Sequence, residues 1–199
     1  MSDREQYAPG AASGAQVRKE GEQWTLVLVR DLSHAPATVW KAITEPEHLR
    51  EWAPFDADRS LANVGGAKLT TVGAPTRQVS ETQITRAEAP RVLEFSWGGQ
   101  QLRWELEPLS GGKTRLTLLH NIDRNFIAMG AAGWHICFDV LERSLDNQPI
   151  GRIVGVEALK FGGWQRLNAE YARQFGIEPG GGPPTRGQVA GEPRSQSGT

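Results

Sequence analysis

Apolar and polar positions alternate through the middle of the chain. In Val92–Trp97 the alternation puts Leu93, Phe95 and Trp97 on one face and Glu94 and Ser96 on the other. Over residues 102–106 it groups Leu102, Trp104 and Leu106. Further on, Leu116 and Leu118 share a face with His120. A period of two predicts half-buried strands, and residues 24–30, rich in β-branched and aromatic side chains, predict an earlier one. Turn chemistry at Gly65-Gly66, Gly73-Ala74-Pro75, Ala89-Pro90, Gly98-Gly99 and Ser110-Gly111-Gly112 recurs at hairpin-like spacing, which predicts an antiparallel meander.

Helical spacing takes over elsewhere. Pro36 suits a first helical position, and Val39, Trp40 and Ile43 form an apolar stripe that Pro46 ends. Thr44 and Glu47 have capping-box spacing, which predicts a second short helix through Leu49 and Trp52. Near the end, Trp134, Phe138, Leu141 and Leu145 form one stripe and Phe161, Trp164, Leu167, Tyr171 and Phe175 another. Gly162-Gly163 near the start of the last helix costs about 1 kcal/mol per glycine relative to alanine and marks a kink or a close backbone approach. Strands in one block and helices in others predict an α+β fold: a curved antiparallel sheet covered by a long C-terminal helix, with two short helices after the first strand. Residues 1–21 read as a flexible tail, 22–177 as the domain, and 178–199 as a disordered Gly/Pro/Ser-rich tail.

The 199 residues, 38% hydrophobic and 23% charged, suit one domain with a real core. Lys+Arg number 22 against 23 Asp+Glu, for a formal charge of −1, so no cationic excess favours nucleic acid or a basic membrane-binding face. The single cysteine, Cys137, cannot form an internal disulfide, and the first residues carry no apolar leader, so a cytoplasmic location is expected. No apolar run is long enough to span a bilayer, so no membrane insertion is expected.

Function becomes arguable in the inner phase of the strands. Three of seven tryptophans, Trp97, Trp104 and Trp134, fall on apolar phases, together with His120. Apolar walls with a few polar groups are the usual make-up of a small-molecule site. The candidate wall residues on strands are Leu93, Phe95, Trp97, Trp104, Leu106 and Leu118, with His120 as the polar handle. Trp134, Phe138 and Trp164 from the last two helices complete the set, together with Trp52 at the end of the second short helix and Phe55 just beyond it. Tryptophans on an inner face also serve as plain core, and a histidine at a strand end is often a hydrogen-bonded structural group.

Other chemistry is poorly represented. His135 falls on a different helical face from Trp134, with Asp139 and Glu142, and reads as a solvated residue paired with Asp139. His34 and His48 lack cysteine or clustered carboxylate neighbours at ligand spacing, so neither a metal nor a cofactor is expected. Cys137 reads as a small buried hydrophobe. Gly111-Gly112-Lys113-Thr114 resembles the end of a phosphate-binding loop, but Glu107 stands where that motif needs glycine, and the string joins two strands. Neither a nucleophile elbow nor a dinucleotide fingerprint is present.

The strings Ala35-Pro36-Ala37-Thr38-Val39-Trp40-Lys41-Ala42-Ile43-Thr44-Glu45-Pro46-Glu47-His48-Leu49-Arg50-Glu51-Trp52, Ala89-Pro90-Arg91-Val92-Leu93-Glu94-Phe95-Ser96-Trp97 and Thr114-Arg115-Leu116-Thr117-Leu118-Leu119-His120 resemble the START-like (SRPBCC) superfamily. Gly133-Trp134-His135, Trp164 and Tyr171 reinforce the likeness. The branch it resembles is the C-terminal domain of the activator of heat-shock protein 90 ATPase and its homologues. The resemblance implies a helix-grip fold enclosing a cavity that opens near the two short helices. Similar proteins include lipid and polyketide binders, cyclases, aromatases and proteins that protect against reactive natural products, so fold alone does not choose a chemistry. The eukaryotic activator carries a separate N-terminal domain, which the first 20 residues here cannot supply.

Three readings are open. The first is a carrier, sensor or protective protein that binds an apolar, aromatic or polycyclic small molecule. The second is a polyketide cyclase- or aromatase-like enzyme with His120 as acid or base, helped by Glu81 or Asp56 if they point inward. The third is a co-chaperone-like module that docks on a protein partner, favoured if side chains fill the interior. The first leads because the inner phase shows one titratable residue where catalysis asks for two or more. The chain is expected as a monomer or homodimer.

Overall fold

Glycines at positive φ turn the chain at four hairpins, at Gly21, Gly73, Gly98-Gly99 and Gly111-Gly112, in this protein, whose computed structural model describes residues 2–179. The disorder expected over 178–199 falls almost wholly outside those residues. A one-turn helix, α1 (Asp3–Gln6), comes first. Strands β1 (Ala15–Glu20) and β2 (Gln23–Leu32) form a hairpin, followed by the short helices α2 (Pro36–Thr44) and α3 (Pro46–Trp52). Next come β3 (Phe55–Ala57), β4 (Gly65–Thr71), β5 (Gln78–Ile84), β6 (Arg86–Glu88), β7 (Val92–Trp97), β8 (Gln100–Leu109) and β9 (Lys113–Asn121). The chain closes with α4 (Ile127–Leu145), α5 (Val156–Lys160) and α6 (Gly162–Phe175).

The strands form a six-stranded antiparallel sheet in the order β1-β2-β9-β8-β7-β6 and a three-stranded sheet in the order β3-β4-β5. Hydrogen bonds join them into one curved wall, among them Thr85 N to the Glu94 carbonyl at 3.0 Å and Ser96 N to Thr82 Oγ1 at 3.0 Å. Helix α4 lies across the concave face and α6 packs on α4. This is the helix-grip α+β fold, with the two short helices directly after the strand β2. The outer face of the large sheet is polar: Arg103 pairs there with Glu94 and Glu105, and Arg115 with Asp31.

The short helices hold together through indole and carbonyl. Trp52 Nε1 donates to the Ala42 carbonyl at 2.9 Å, which ties the end of α3 to α2. The expected capping box does not form. Thr44 Oγ1 turns back to the Trp40 carbonyl at 2.7 Å, and Glu45 occupies the cap position with Pro46 in the first turn of α3. A hydroxyl near the end of one helix finds the i−4 carbonyl of its own helix before it finds the amides of the next.

Residues 1–21 are not a free tail within the described part. β1 pairs with β2 from Ala15↔Leu28 to Glu20↔Gln23. Ahead of it the chain straps the helices. Tyr7 is buried, and its hydroxyl donates to Asp139 Oδ2 on α4 at 2.7 Å. Arg4 donates to the carbonyls of Ile150, Gly151 and Arg152 at 2.9–3.0 Å. Ala12 N reaches the Glu170 carboxylate at 2.8 Å. These partners lie more than 130 residues away in sequence, so no local pattern could reveal them.

The strap also corrects the reading of His135, which is buried rather than solvated. Tyr171 Oη commits its proton to the Ser13 carbonyl at 2.9 Å, so the 2.8 Å contact with His135 Nδ1 has the imidazole as donor. Asp139, 3.7 Å from His135 Nε2, is taken instead by Tyr7 and by Arg30 at 2.8 Å. Burial lowers the pKa of His135, while burial and then the Asp139 charge push that of Tyr7 up.

Gly163 explains the glycine pair at the start of the last helix. The space its Cβ would occupy is filled by the ring of Pro9, so the strap lies directly against the first turn of α6. Gly163→Ala is expected to lower stability by about 1–3 kcal/mol, the usual cost of overpacking. The loss should appear as an earlier urea midpoint together with faster proteolysis within residues 2–14. An unchanged midpoint and protease pattern would show that the strap contributes nothing to the helix layer.

Candidate functional site

Strand alternation converges on one layer of rings. Leu93, Phe95, Trp104, Leu106, Leu118 and His120 are all buried on the inner face of β7, β8 and β9, as their phase requires. Trp134 and Phe138 descend from α4 onto that face, and Trp52 and Phe55 approach from α3 and β3. Trp104 meets Trp52 edge-on at 5.9 Å, Trp134 at 5.6 Å and Phe138 at 6.1 Å between ring centroids. Phe55 meets Phe95 at 5.8 Å and Trp97 at 5.4 Å, and Trp97 meets Trp134 at 6.0 Å. Each such pair contributes about 0.5–1.5 kcal/mol beyond area burial. Trp164 is buried on α6, outside this run of ring contacts.

The rings fill the interior. Surface grooves lie on the outer faces of both sheets, and none of these aromatics lines the two described next. The first, about 510 Å³, lies beside Asp56, Asp58, Lys68 and Arg77 on the outer face of the small sheet. The second, about 360 Å³, lies beside Arg18, Glu94, Arg103 and Asn121 on the solvent face of the large sheet.

His120 is the polar centre of the layer. Trp134 Nε1 donates to its Nδ1 at 3.0 Å, which places the ring proton on Nε2, and that proton goes to Gln100 Oε1 at 2.7 Å. Both ring nitrogens are therefore in use. Burial lowers its pKa to about 4, so the ring is neutral at physiological pH. A neutral imidazole whose lone pair already accepts from an indole is a poor general base.

The two carboxylates considered as catalytic partners do not face this histidine. Asp56 pairs with Arg152 at 2.6 Å, and Glu81 is largely exposed, 3.9 Å from Lys68. His34 bonds Asp146 at 2.8 Å at the surface. Cys137 is buried, and burial pushes its thiol up to about 12. Among the described residues no group of three His, Cys, Asp or Glu could hold a metal, and no helix is long and apolar enough to cross a membrane.

Trp97 marks the edge of the layer. It is half-buried where its ring partners are closed off, and its Nε1 donates to Thr71 Oγ1 on β4 at 3.0 Å. The turn after it has Gly98 and Gly99 both at positive φ, +57° and +82°, a two-residue hairpin turn that other residues enter reluctantly. It sets Trp97 opposite Gln100, with both on the inner face.

Gln100, Thr71 and Ser80 are polar members of the layer absent from the sequence-derived set. Gln100 was within reach of it, because it extends the Leu102, Trp104, Leu106 alternation by one step. Thr71 continues the phase of Ala67 and Leu69 in β4, and Ser80 that of Thr82 and Ile84 in β5.

The family model for "Activator of Hsp90 ATPase homolog 1-like protein" matches residues 33–146, more than half of the chain. Among solved structures, a conserved protein of unknown function from Enterococcus faecalis is similar at a TM-score of 0.63 and 18% identity, covering 82% of this chain and 92% of that one. CalU16 from Micromonospora echinospora is similar at 0.56 and 18% identity, covering 84% and 96%. A protein from Mesorhizobium loti is similar at 0.54 and 23% identity, covering 63% and 99%. No curated protein matches.

The neutral His120 links stability to pH. Below about pH 6.5 the unfolded chain protonates this histidine, whereas the folded protein does so only near pH 4. Stability is therefore full above pH 6.5, falls through that window, and levels off for this group below pH 4. The drop from His120 is about 3 kcal/mol, and His135 adds to it in the same direction. Urea denaturation across this range should show a loss that His120→Gln reduces, and the His120 ring should titrate near pH 4 by NMR. Titration of His120 near pH 6.5 would contradict the assignment.

Proposed function

The chain belongs to the family of activator of Hsp90 ATPase homolog 1-like proteins, within the START-like superfamily, whose fold commonly binds hydrophobic ligands, and from that premise we propose that it binds an apolar aromatic small molecule in its inner layer. The observation that carries this reading is Trp97. Its indole rests against Phe55, His120 and Trp134, yet it is only partly buried and is anchored by one hydrogen bond to Thr71. Swinging it outward leaves an aromatic-walled space of its own size, with the neutral His120 at its base.

Opening forfeits three ring contacts and one hydrogen bond, about a few kcal/mol in all. The open state is then a minor population, and apparent affinity is reduced by its fraction. A carrier or sensor role is the one this supports, because the titratable group at the base of the space is His120, neutral and bonded on both ring nitrogens.

The filled interior favours one alternative, a module that docks on a protein partner through its outer surfaces and takes no ligand. The two readings separate on binding. A set of neutral two- and three-ring aromatics, titrated by calorimetry, should include a binder of the parent protein. Trp97→Ala should bind that compound roughly tenfold tighter or more, since the cost of opening is removed. No binding by either protein would sink the ligand reading and leave the docking module.

A further inference from the structure

Ser80 on β5 carries a side-chain hydroxyl that is closed to solvent and has no hydrogen-bonding partner among the described residues. Such a group is costly and calls for an explanation. Its place in the fold supplies one. Ser80 pairs with Leu69 across β4, one diagonal step from Thr71, and shares the inward phase of the buried Thr82 and Ile84. The bonds from Thr85 N to the Glu94 carbonyl and from Ser96 N to Thr82 Oγ1 run β5 antiparallel along β7. Continued by two residues, that register puts Ser80 beside the Trp97 end of β7.

In the same layer Trp104 Nε1 is likewise buried without a partner among the described residues, whereas other polar atoms there are committed. His120 is bonded on both nitrogens, and Thr82 Oγ1 is engaged by Ser96. Thr71 Oγ1 holds the Trp97 indole and is released when that ring leaves. The space vacated by Trp97 is therefore aromatic on its walls and edged by the hydroxyls of Ser80 and Thr71.

We infer that the ligand is a neutral, planar aromatic bearing a hydroxyl or carbonyl oxygen, with its ring where the Trp97 indole now lies and its oxygen bonded to Ser80 and Thr71. This rests on the reading that the inner layer takes a small molecule, and it names the class. A charged ligand does not fit the same space. Lys68 and Arg77 border the groove on the outer face of the small sheet, and Arg30, on the inner side, is held by Asp139 and Glu142. A carboxylate in the layer would be buried without a cation, which is strongly unfavourable.

Calorimetry at neutral pH with 2-naphthol, naphthalene and 2-naphthoate tests this on the full chain, its Ser80→Ala variant and its Trp97→Ala variant. The parent should prefer 2-naphthol over naphthalene by roughly three- to tenfold, the equivalent of one net hydrogen bond, and should reject 2-naphthoate. Ser80→Ala should bring 2-naphthol down to the level of naphthalene. That variant should also melt no earlier than the parent, because it deletes a buried group that has no partner. Equal binding of 2-naphthol and naphthalene by the parent, or a preference that survives Ser80→Ala, would overturn the assignment of ligand class while the ligand reading stands. Failure of all three probes on both the parent and Trp97→Ala would overturn both.

Discussion

A buried imidazole that must remain neutral sets the terms for the rest of the inner layer. His120 is 2% exposed, and each of its nitrogens needs a partner at that depth. Trp134 supplies the donor from α4 and Gln100 the acceptor from the β7–β8 hairpin, so a single ring ties the gripping helix to the wall of the sheet. The tautomer follows from those two partners, and so does the ring's chemical inertness. The indole of Trp134, fixed by that bond, then orients the edge-on contacts of Trp97 and Trp104.

The parts of this layer that were legible in sequence are those with strict alternation. Leu93, Phe95, Trp104, Leu106, Leu118 and His120 lie where a period of two puts them, because one face of the sheet is covered by a helix and the other is solvated. Trp134 and Phe138 followed from the helical stripe in the same way. What alternation does not convey is depth or vacancy. It gave Trp97 the same standing as Trp104, although one sits at the edge and the other at the centre, and it could not tell an open cavity from interlocking rings.

Tyr7 and His135 depart from the sequence reading because their partners are remote: Asp139 for Tyr7 and Tyr171 for His135. An edge strand such as Ala15–Glu20 has one paired side and mostly polar residues, so its pattern resembles a tail. His135 and Asp139 stand four apart, as a solvent-facing ion pair would. In this protein the strap covers that face of α4, and the carboxylate serves Tyr7 and Arg30 instead. The Thr44 cap failed for a local reason, since its own helix offered a carbonyl first.

A filled interior and a binding interior are not in conflict if one of the filling side chains can leave. Close packing makes most core rings immobile, because each is held by neighbours on every side and no void exists for them to enter. Trp97 differs in two respects: one side of it reaches solvent, and its one polar anchor is a hydroxyl on the neighbouring sheet. The unpartnered oxygen of Ser80 beside it is a defect that the closed state tolerates and an occupied state would repair. Binding would then exchange one aromatic ring for another at nearly constant packing, with the hydroxyl edge deciding among ligands of the same shape. Selectivity in such a layer comes less from its many tryptophans, which accept any flat apolar ring, than from the few polar atoms they leave unsatisfied.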